Sequence, residues 1–240
     1  TSSRQHSMDA QSLLARWRDD PALFAEEALN NRAWSRQAEV FLAVAKHRRV
    51  AVRSGHKVGK SNTIACLALW WVCTRPFGKV VLTSTVGEQL KNILWPELKR
   101  LYDQAAAPIG GRFSQDYHGG VRFDDGRAII AMKSEDSKPE AFAGISSPNV
   151  LYCIDEASGF PNSLLEAAWG NTASNGTIVA FSNPTRTSGR AGTGPGHAAR
   201  SPSRRTAMLW PSWGDPSAKG KICVPGGAMP CATSLGRAFW

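Results

Sequence analysis

A glycine-rich loop between a β-branched strand and an apolar helix is the feature that most constrains this fold. Residues 49–53 read RVAVR and have the composition of a short buried strand. Residues 54–61 read SGHKVGKS, and residues 62–74 are mostly apolar, as expected of a buried helix. A strand that enters a glycine-rich turn and leaves it as a helix is typical of a phosphate-binding loop.

Four residues of this loop have the chemistry that a bound polyphosphate requires. Gly55 and Gly59 permit a turn that points backbone N–H groups inward, Lys60 supplies an ammonium, and Ser61 a hydroxyl for Mg²⁺. Ser54 replaces the usual first glycine, so the loop is a variant of the GxxxxGK[ST] pattern. The alternative interpretation is a glycine-rich turn that Ser61 caps.

An acidic pair follows a second apolar strand. Residues 149–154 predict a buried strand, and Asp155 and Glu156 come directly after it. Asp155 is placed to hold the Mg²⁺ shell, and Glu156 to act as general base toward a water. Two acids that cap the next helix are the alternative.

A third polar segment ends the apolar stretch 177–181. The residues that follow are Ser182, Asn183, Pro184 and Thr185. A polar residue at the end of a neighbouring strand can sense a γ-phosphate through its hydrogen bonds. A strand that ends in an Asn-Pro turn explains the same pattern equally well.

The alternation of apolar strands with helices predicts an α/β fold with a largely parallel sheet flanked by helices. All three polar segments follow strands, and ligands of open α/β sheets bind at the carboxyl ends of the strands. We expect an N-terminal helical segment over residues 1–33 and a main domain over 34–189. Residues 190–240 form an irregular basic tail rich in Gly and Pro.

The charge is concentrated in that tail. The chain of 240 residues has a formal net charge of +10, and after residue 189 Asp215 is the only acid. Excess positive charge is compatible with a polyanionic partner but is weak evidence for one. The abrupt change of composition favours the hypothesis that residues 190–240 are frameshifted or degenerate.

The five cysteines are odd in number and form no CxxC pair. This pattern predicts reduced, buried thiols and a cytosolic protein. The sequence shows neither a signal peptide nor an apolar stretch long enough to span a membrane, so we expect no membrane association.

Taken together, these motifs resemble the ATPase domain of the large terminase subunits of tailed phages over about residues 34–188. The segments that carry the resemblance are Trp34 with Gln37, residues 53–61, residues 81–85 with Gln89, residues 142–144, residues 154–157 and residues 182–185.

The resemblance implies a RecA-like P-loop NTPase that hydrolyses ATP with Mg²⁺. It implies that Glu156 and Lys60 are catalytic, that Ser61 and Asp155 hold the metal, and that Gln37 contacts adenine. The implied coupling motif is Ser182, Asn183, Pro184 and Thr185. The implied ATP-binding residues are Gln37, Ser54, Gly55, His56, Lys57, Val58, Gly59, Lys60, Ser61 and Asn62.

The resemblance also implies partners and a location. The expected activity is translocation of double-stranded DNA into a procapsid by a homo-oligomeric ring. The expected partners are double-stranded DNA, the portal protein and the small terminase subunit, in the host cytoplasm.

Two departures from the family pattern limit these expectations. Family loops often carry an arginine where this one has His56 and Lys57, so Arg53, Lys57 and Arg186 are all candidates for contacting the γ-phosphate. Asp215 alone follows Glu166 among the acids, so we expect the family's nuclease activity to be absent from this chain. Two other functions remain open: a helicase-like DNA translocase, and a non-catalytic remnant that binds nucleic acid.

Overall fold

The computed structural model describes residues 2–55, 57–134, 139–172, 176–182 and 222–223, with the backbone alone for residues 2–9 and 222–223. The helices are α1 Ser2–Asp19, α2 Pro21–Glu27, α3 Ser35–Lys46, α4 Lys60–Thr74, α5 Gly87–Gln89, α6 Trp95–Asp103, α7 Pro139–Ala143 and α8 Asn162–Asn171. The strands are β1 Arg49–Arg53, β2 Lys79–Ser84, β3 Arg112–Phe113, β4 Val121–Arg122, β5 Ala128–Lys133, β6 Val150–Asp155, β7 Thr177–Ser182 and β8 Ile222–Cys223.

These strands form one sheet in the order β3-β4-β5-β2-β6-β7-β1-β8. The five central strands, β5 to β1 in that order, are parallel, whereas β3, β4 and β8 are short and antiparallel to their neighbours. The predicted α/β fold with a largely parallel sheet flanked by helices is confirmed. Because β7 lies between β1 and β6, the glycine-rich loop and the acidic pair follow strands that are not adjacent.

Each central strand sends alternate side chains to two separate cores. In β2, Val80 and Leu82 join the core formed with α2, α3, α4 and α6, whereas Val81 joins the core formed with α7 and α8. This alternation follows from the period of two along a strand. Parallel strands covered on both faces are accordingly apolar along their whole length, as in the fully buried β6 and β7.

Helix α4 is apolar on all sides because it lies between the sheet and the N-terminal helices. Trp70 is fully buried and donates from Nε1 to the Trp17 carbonyl at 2.6 Å, while Arg18 donates to the Thr74 carbonyl at 2.8 Å. Burial of a side chain of this size contributes about 2–3 kcal/mol. Within the described ranges, no helix is both long and apolar enough to cross a membrane.

The helix expected over residues 86–102 is interrupted. A π-helical turn, Leu90–Leu94, separates α5 from α6, and Pro96 lies in the first turn of α6. Proline has no N–H to donate to the preceding turn, so the regular hydrogen-bond ladder cannot continue through it. The π turn changes which side chains of α6 point toward α4.

Three cysteines lie in the described part of the chain and all are free thiols. Cys66 and Cys153 are buried and Cys73 is partly exposed. Burial raises the pKa of the Cys66 and Cys73 thiols to about 12 and raises that of Cys153 further. The prediction of buried, reduced thiols is confirmed for Cys66 and Cys153.

Candidate nucleotide-binding site

Four neighbouring strands end in polar residues at the same edge of the sheet. Ser84 of β2 is paired in register with Asp155 of β6, and Ser182 of β7 with Arg53 of β1. Adjacent strands lie about 4.8 Å apart, so the ends of β6 and β1 are separated by roughly 10 Å. A gap of this size can hold a polyphosphate between the glycine-rich loop and the acidic pair.

The glycine-rich loop adopts backbone conformations that suit a phosphate cradle. Gly59 has φ +79° and directly precedes α4, and Lys57 also has a positive φ of 59°. Gly59 accommodates this left-handed conformation without strain because it has no Cβ. Lys60 and Ser61 therefore start a helix whose first N–H groups lack partners within it and favour an anion. The Lys60 ammonium donates to the Gly55 carbonyl at 3.0 Å.

Ser54 joins this loop to the neighbouring strand. Its N–H donates to the Ser182 carbonyl at 3.1 Å, which extends the pairing of β1 with β7 by one residue. Its Oγ is buried and has no hydrogen-bond partner among the described residues. A buried hydroxyl without a partner is uncommon, and a ligand oxygen in the loop would satisfy it.

The acidic pair lies at the end of β6. Asp155 is 6% exposed, and its Oδ1 accepts the Glu156 N–H at 3.0 Å. Burial raises the pKa of Asp155, and the charge of Glu156 raises it further. The Glu156 N–H and the Lys60 ammonium partly oppose this rise in the pKa. The influence of Lys60 on this pKa places the ammonium near the carboxylates, as a shared site requires.

Glu156 has an unusual backbone conformation. Its φ of 51° and ψ of 45° are left-handed, and it precedes the short 3-10 helix Ala157–Gly159. Such a conformation costs a non-glycine residue about 1–2 kcal/mol. It turns the chain sharply after Asp155, so the two consecutive carboxylates do not point to opposite faces as they would in a continuous strand.

Gln37 of α3 contacts the far end of the glycine-rich loop. Its side chain is 7% exposed, and its Nε2 donates to the Gly59 carbonyl at 3.2 Å and to Asn62 Oδ1 at 3.0 Å. Its Oε1 accepts the N–H of Trp34, whose indole is 49% exposed. The contact of Gln37 with adenine stays a prediction.

The residues brought together at this edge fit ATP and Mg²⁺. Ser61 and Asp155 offer oxygen ligands, which Mg²⁺ prefers. The described residues contain no group of three or more His, Cys, Asp or Glu that could hold a metal ion, which suits an ion bound mainly through phosphates and water. Five predicted residues lie outside the described ranges: His56, Asn183, Pro184, Thr185 and Arg186.

Sequence reasoning missed two polar residues that support this loop. Asn31 and Glu97 both hydrogen-bond to Asn62, at 3.1 and 2.9 Å. They precede it and follow it by more than thirty positions and belong to no motif. No local signal in the sequence could have identified them.

The sequence is similar to that of a phage packaging protein. It is 26% identical over 145 residues to the "Probable terminase, large subunit" of Enterobacteria phage P7, and the match covers 58% of this chain and 29% of the relative. The predicted resemblance to large terminase subunits is confirmed. No family model matches the sequence. The chain thus spans less than a third of the terminase subunit that it matches.

Solved structures with a similar arrangement are also terminases. The large terminase ATPase domain of Thermus phage P74-26 has a TM-score of 0.48 at 15% identity, covering 65% of this chain and 67% of that one. The large terminase of a second, thermophilic bacteriophage has a TM-score of 0.48 at 16% identity, covering 62% of this chain and 38% of that one.

Proposed function

We propose that this chain is an ATP-hydrolysing motor domain of a large terminase subunit. The observation that carries the proposal is the location of Lys60, Asp155 and Glu156 at one edge of the sheet, within electrostatic range of each other. The similarity to the phage P7 protein supports the same conclusion from the sequence.

The proposed chemistry is an in-line attack of water on the γ-phosphate. Glu156 orients the water and accepts its proton, while the Lys60 ammonium stabilises the charge that develops on the phosphate oxygens. Ser61 and Asp155 would hold Mg²⁺, which when bound neutralises phosphate charge. Arg53 is buried at the end of β1, at the same edge, and is the described arginine that we propose for contacting the γ-phosphate.

We propose that β7 couples hydrolysis to movement. The Ser182 carbonyl accepts the Ser54 N–H, so a displacement of the loop when the γ-phosphate leaves would act directly on the end of β7. Asn183, Pro184 and Thr185 follow at once and would transmit that displacement. The work done would be the movement of double-stranded DNA.

The wider assembly is part of the proposal. The motor unit would comprise residues 34–189, with residues 1–33 as a helical addition and residues 190–240 as a tail. It would act in the host cytoplasm as a homo-oligomeric ring on a portal protein, together with a small terminase subunit. A nuclease would be supplied by sequence other than this chain.

A steady-state ATPase assay with and without duplex DNA tests this function. We expect Mg²⁺-dependent turnover that duplex DNA stimulates. Lys60→Ala should abolish tight ATP binding, and Glu156→Gln should preserve binding but lower turnover at least about 100-fold, since a general base contributes that much. Glu166→Gln, the same change at an exposed position of α8, should retain wild-type turnover.

Two outcomes would contradict the proposal. DNA retention without any nucleotide turnover in the wild-type chain would favour a non-catalytic remnant. Strand separation in a duplex-unwinding assay would favour a helicase-like translocase. Unchanged turnover in Glu156→Gln would refute the role of Glu156 alone.

A further inference from the structure

A line of polar side chains connects the glycine-rich loop to helix α6. Gln37 Nε2 donates to the Gly59 carbonyl and to Asn62 Oδ1, and Asn62 Nδ2 donates to Glu97 Oε1 at 2.9 Å. The same carboxylate accepts two bonds from Arg100, at 2.7 and 2.9 Å. Each link therefore joins a different structural element: α3, α4 and α6.

The carboxylate of Glu97 determines how the two amides in this line are oriented. An ionised carboxylate only accepts hydrogen bonds, so Asn62 must turn its NH₂ group toward Glu97 and its Oδ1 toward Gln37. That oxygen in turn requires Gln37 to present its NH₂ group, whose second proton reaches the Gly59 carbonyl. Asn31 reinforces the arrangement through reciprocal bonds with Asn62 at 3.1 and 3.3 Å.

Glu97 is held in its ionised state and in this position by its surroundings. The hydrogen bonds from Arg100 lower its pKa, with a smaller contribution from Asn62 and against a modest effect of burial. The π-helical turn and Pro96 directly precede it and set the face of α6 that meets α4. Arg100 also donates to Gln104, which donates to the Leu29 carbonyl, so both flanks of Glu97 are anchored.

We propose that Glu97 is a positioning residue for the phosphate cradle. It acts through Asn62 and Gln37 to fix the Gly59 carbonyl and thereby the left-handed turn that precedes Lys60 and Ser61. Glu97 does not itself reach the nucleotide. The proposal rests on the function proposed above, and it assigns to α6 a part in forming the nucleotide site.

Because this relay would act on the phosphate-binding turn, its loss should weaken every nucleoside triphosphate equally. In the full chain, Glu97→Ala should raise the dissociation constants of ATP and GTP by about tenfold each, with kcat changed less than twofold. The same substitution at Glu88, which bonds only Asn92 on the preceding turn, should leave both constants unchanged. A loss for ATP but not for GTP would overturn the proposal.

A double-mutant cycle and a measurement without nucleotide separate the relay from general damage. Gln37→Ala should weaken binding as much as Glu97→Ala, and the double variant no further; additive losses would contradict a relay. In the nucleotide-free chain, Glu97→Ala should shift the NMR signals of the Gln37 side-chain amide, whereas Glu88→Ala should not. If Glu97→Ala does not fold, the shift is measured in Glu97→Gln. An unmoved Gln37 signal would refute the relay even if the chain bound no ATP and the proposed function had failed.

Discussion

Gly59 and Gly55 provide a matched pair for testing the geometry of the glycine-rich loop. A Cβ on Gly59 would lie 2.9 Å from Gln37 Nε2, and its φ of +79° is left-handed. A Cβ on Gly55 would meet no atom within 4 Å, and its φ lies outside the left-handed region. Alanine at these two positions should therefore have very different effects on stability.

The size of the Gly59→Ala effect follows from three contributions. The left-handed backbone costs alanine about 1–2 kcal/mol. Displacing Gln37 breaks two hydrogen bonds worth about 1 kcal/mol each. The reduced entropy of the unfolded chain offsets about 0.4–1 kcal/mol of this loss. We expect Gly59→Ala to lower the free energy of unfolding by about 2–3 kcal/mol.

Urea denaturation of the nucleotide-free chain, followed by tryptophan fluorescence, measures this difference. Gly55→Ala should change the free energy of unfolding by less than about 0.5 kcal/mol, as surface substitutions usually do. Equal values for the two variants would refute the contact between Gln37 and the loop. A double variant, Gly59→Ala with Gln37→Ala, should recover the part of the loss that comes from the steric conflict.

Two further predictions concern ionisable groups. Burial raises the pKa of Asp155, so its contribution to stability is present at low pH and is lost as the pH rises through the raised pKa. Asp155→Asn should therefore raise the melting temperature of the nucleotide-free chain at pH 8, and the gain should shrink toward pH 4; ATP turnover should fall at least about 100-fold. No gain at pH 8 would contradict the burial of a charge at this site. Cys66 and Cys153 are buried thiols with raised pKa values, so iodoacetamide at pH 8 should leave both unmodified until the chain unfolds, as measured by mass spectrometry of peptides. Rapid labelling of either thiol in the folded chain would contradict this packing.

The features that sequence reasoning predicted are those encoded in short segments. The run RVAVR before the glycines, and the apolar residues before Asp155, identify β1 and β6 because strand and loop preferences are local. The convergence of their ends also followed, since parallel strands share one carboxyl edge.

The features that it missed depend on contacts between distant segments. The hydrogen bonds of Asn62 with Asn31 and Glu97 join residues more than thirty positions apart, and each is polar in a way that a solvated surface would also explain. The π-helical turn arises where Pro96 meets the packing of α6 on α4. The left-handed backbone of Glu156 likewise reflects the turn required after β6, since nothing in a glutamate favours it.

The location of a bound metal ion tests the central claim most directly. Crystals grown with Mn²⁺ and a non-hydrolysable ATP analogue would reveal the ion by its anomalous scattering. We predict a single manganese peak between Ser61 Oγ and Asp155, with the γ-phosphate in contact with the Lys60 ammonium. A nucleotide bound elsewhere, or a peak remote from Asp155, would contradict the account.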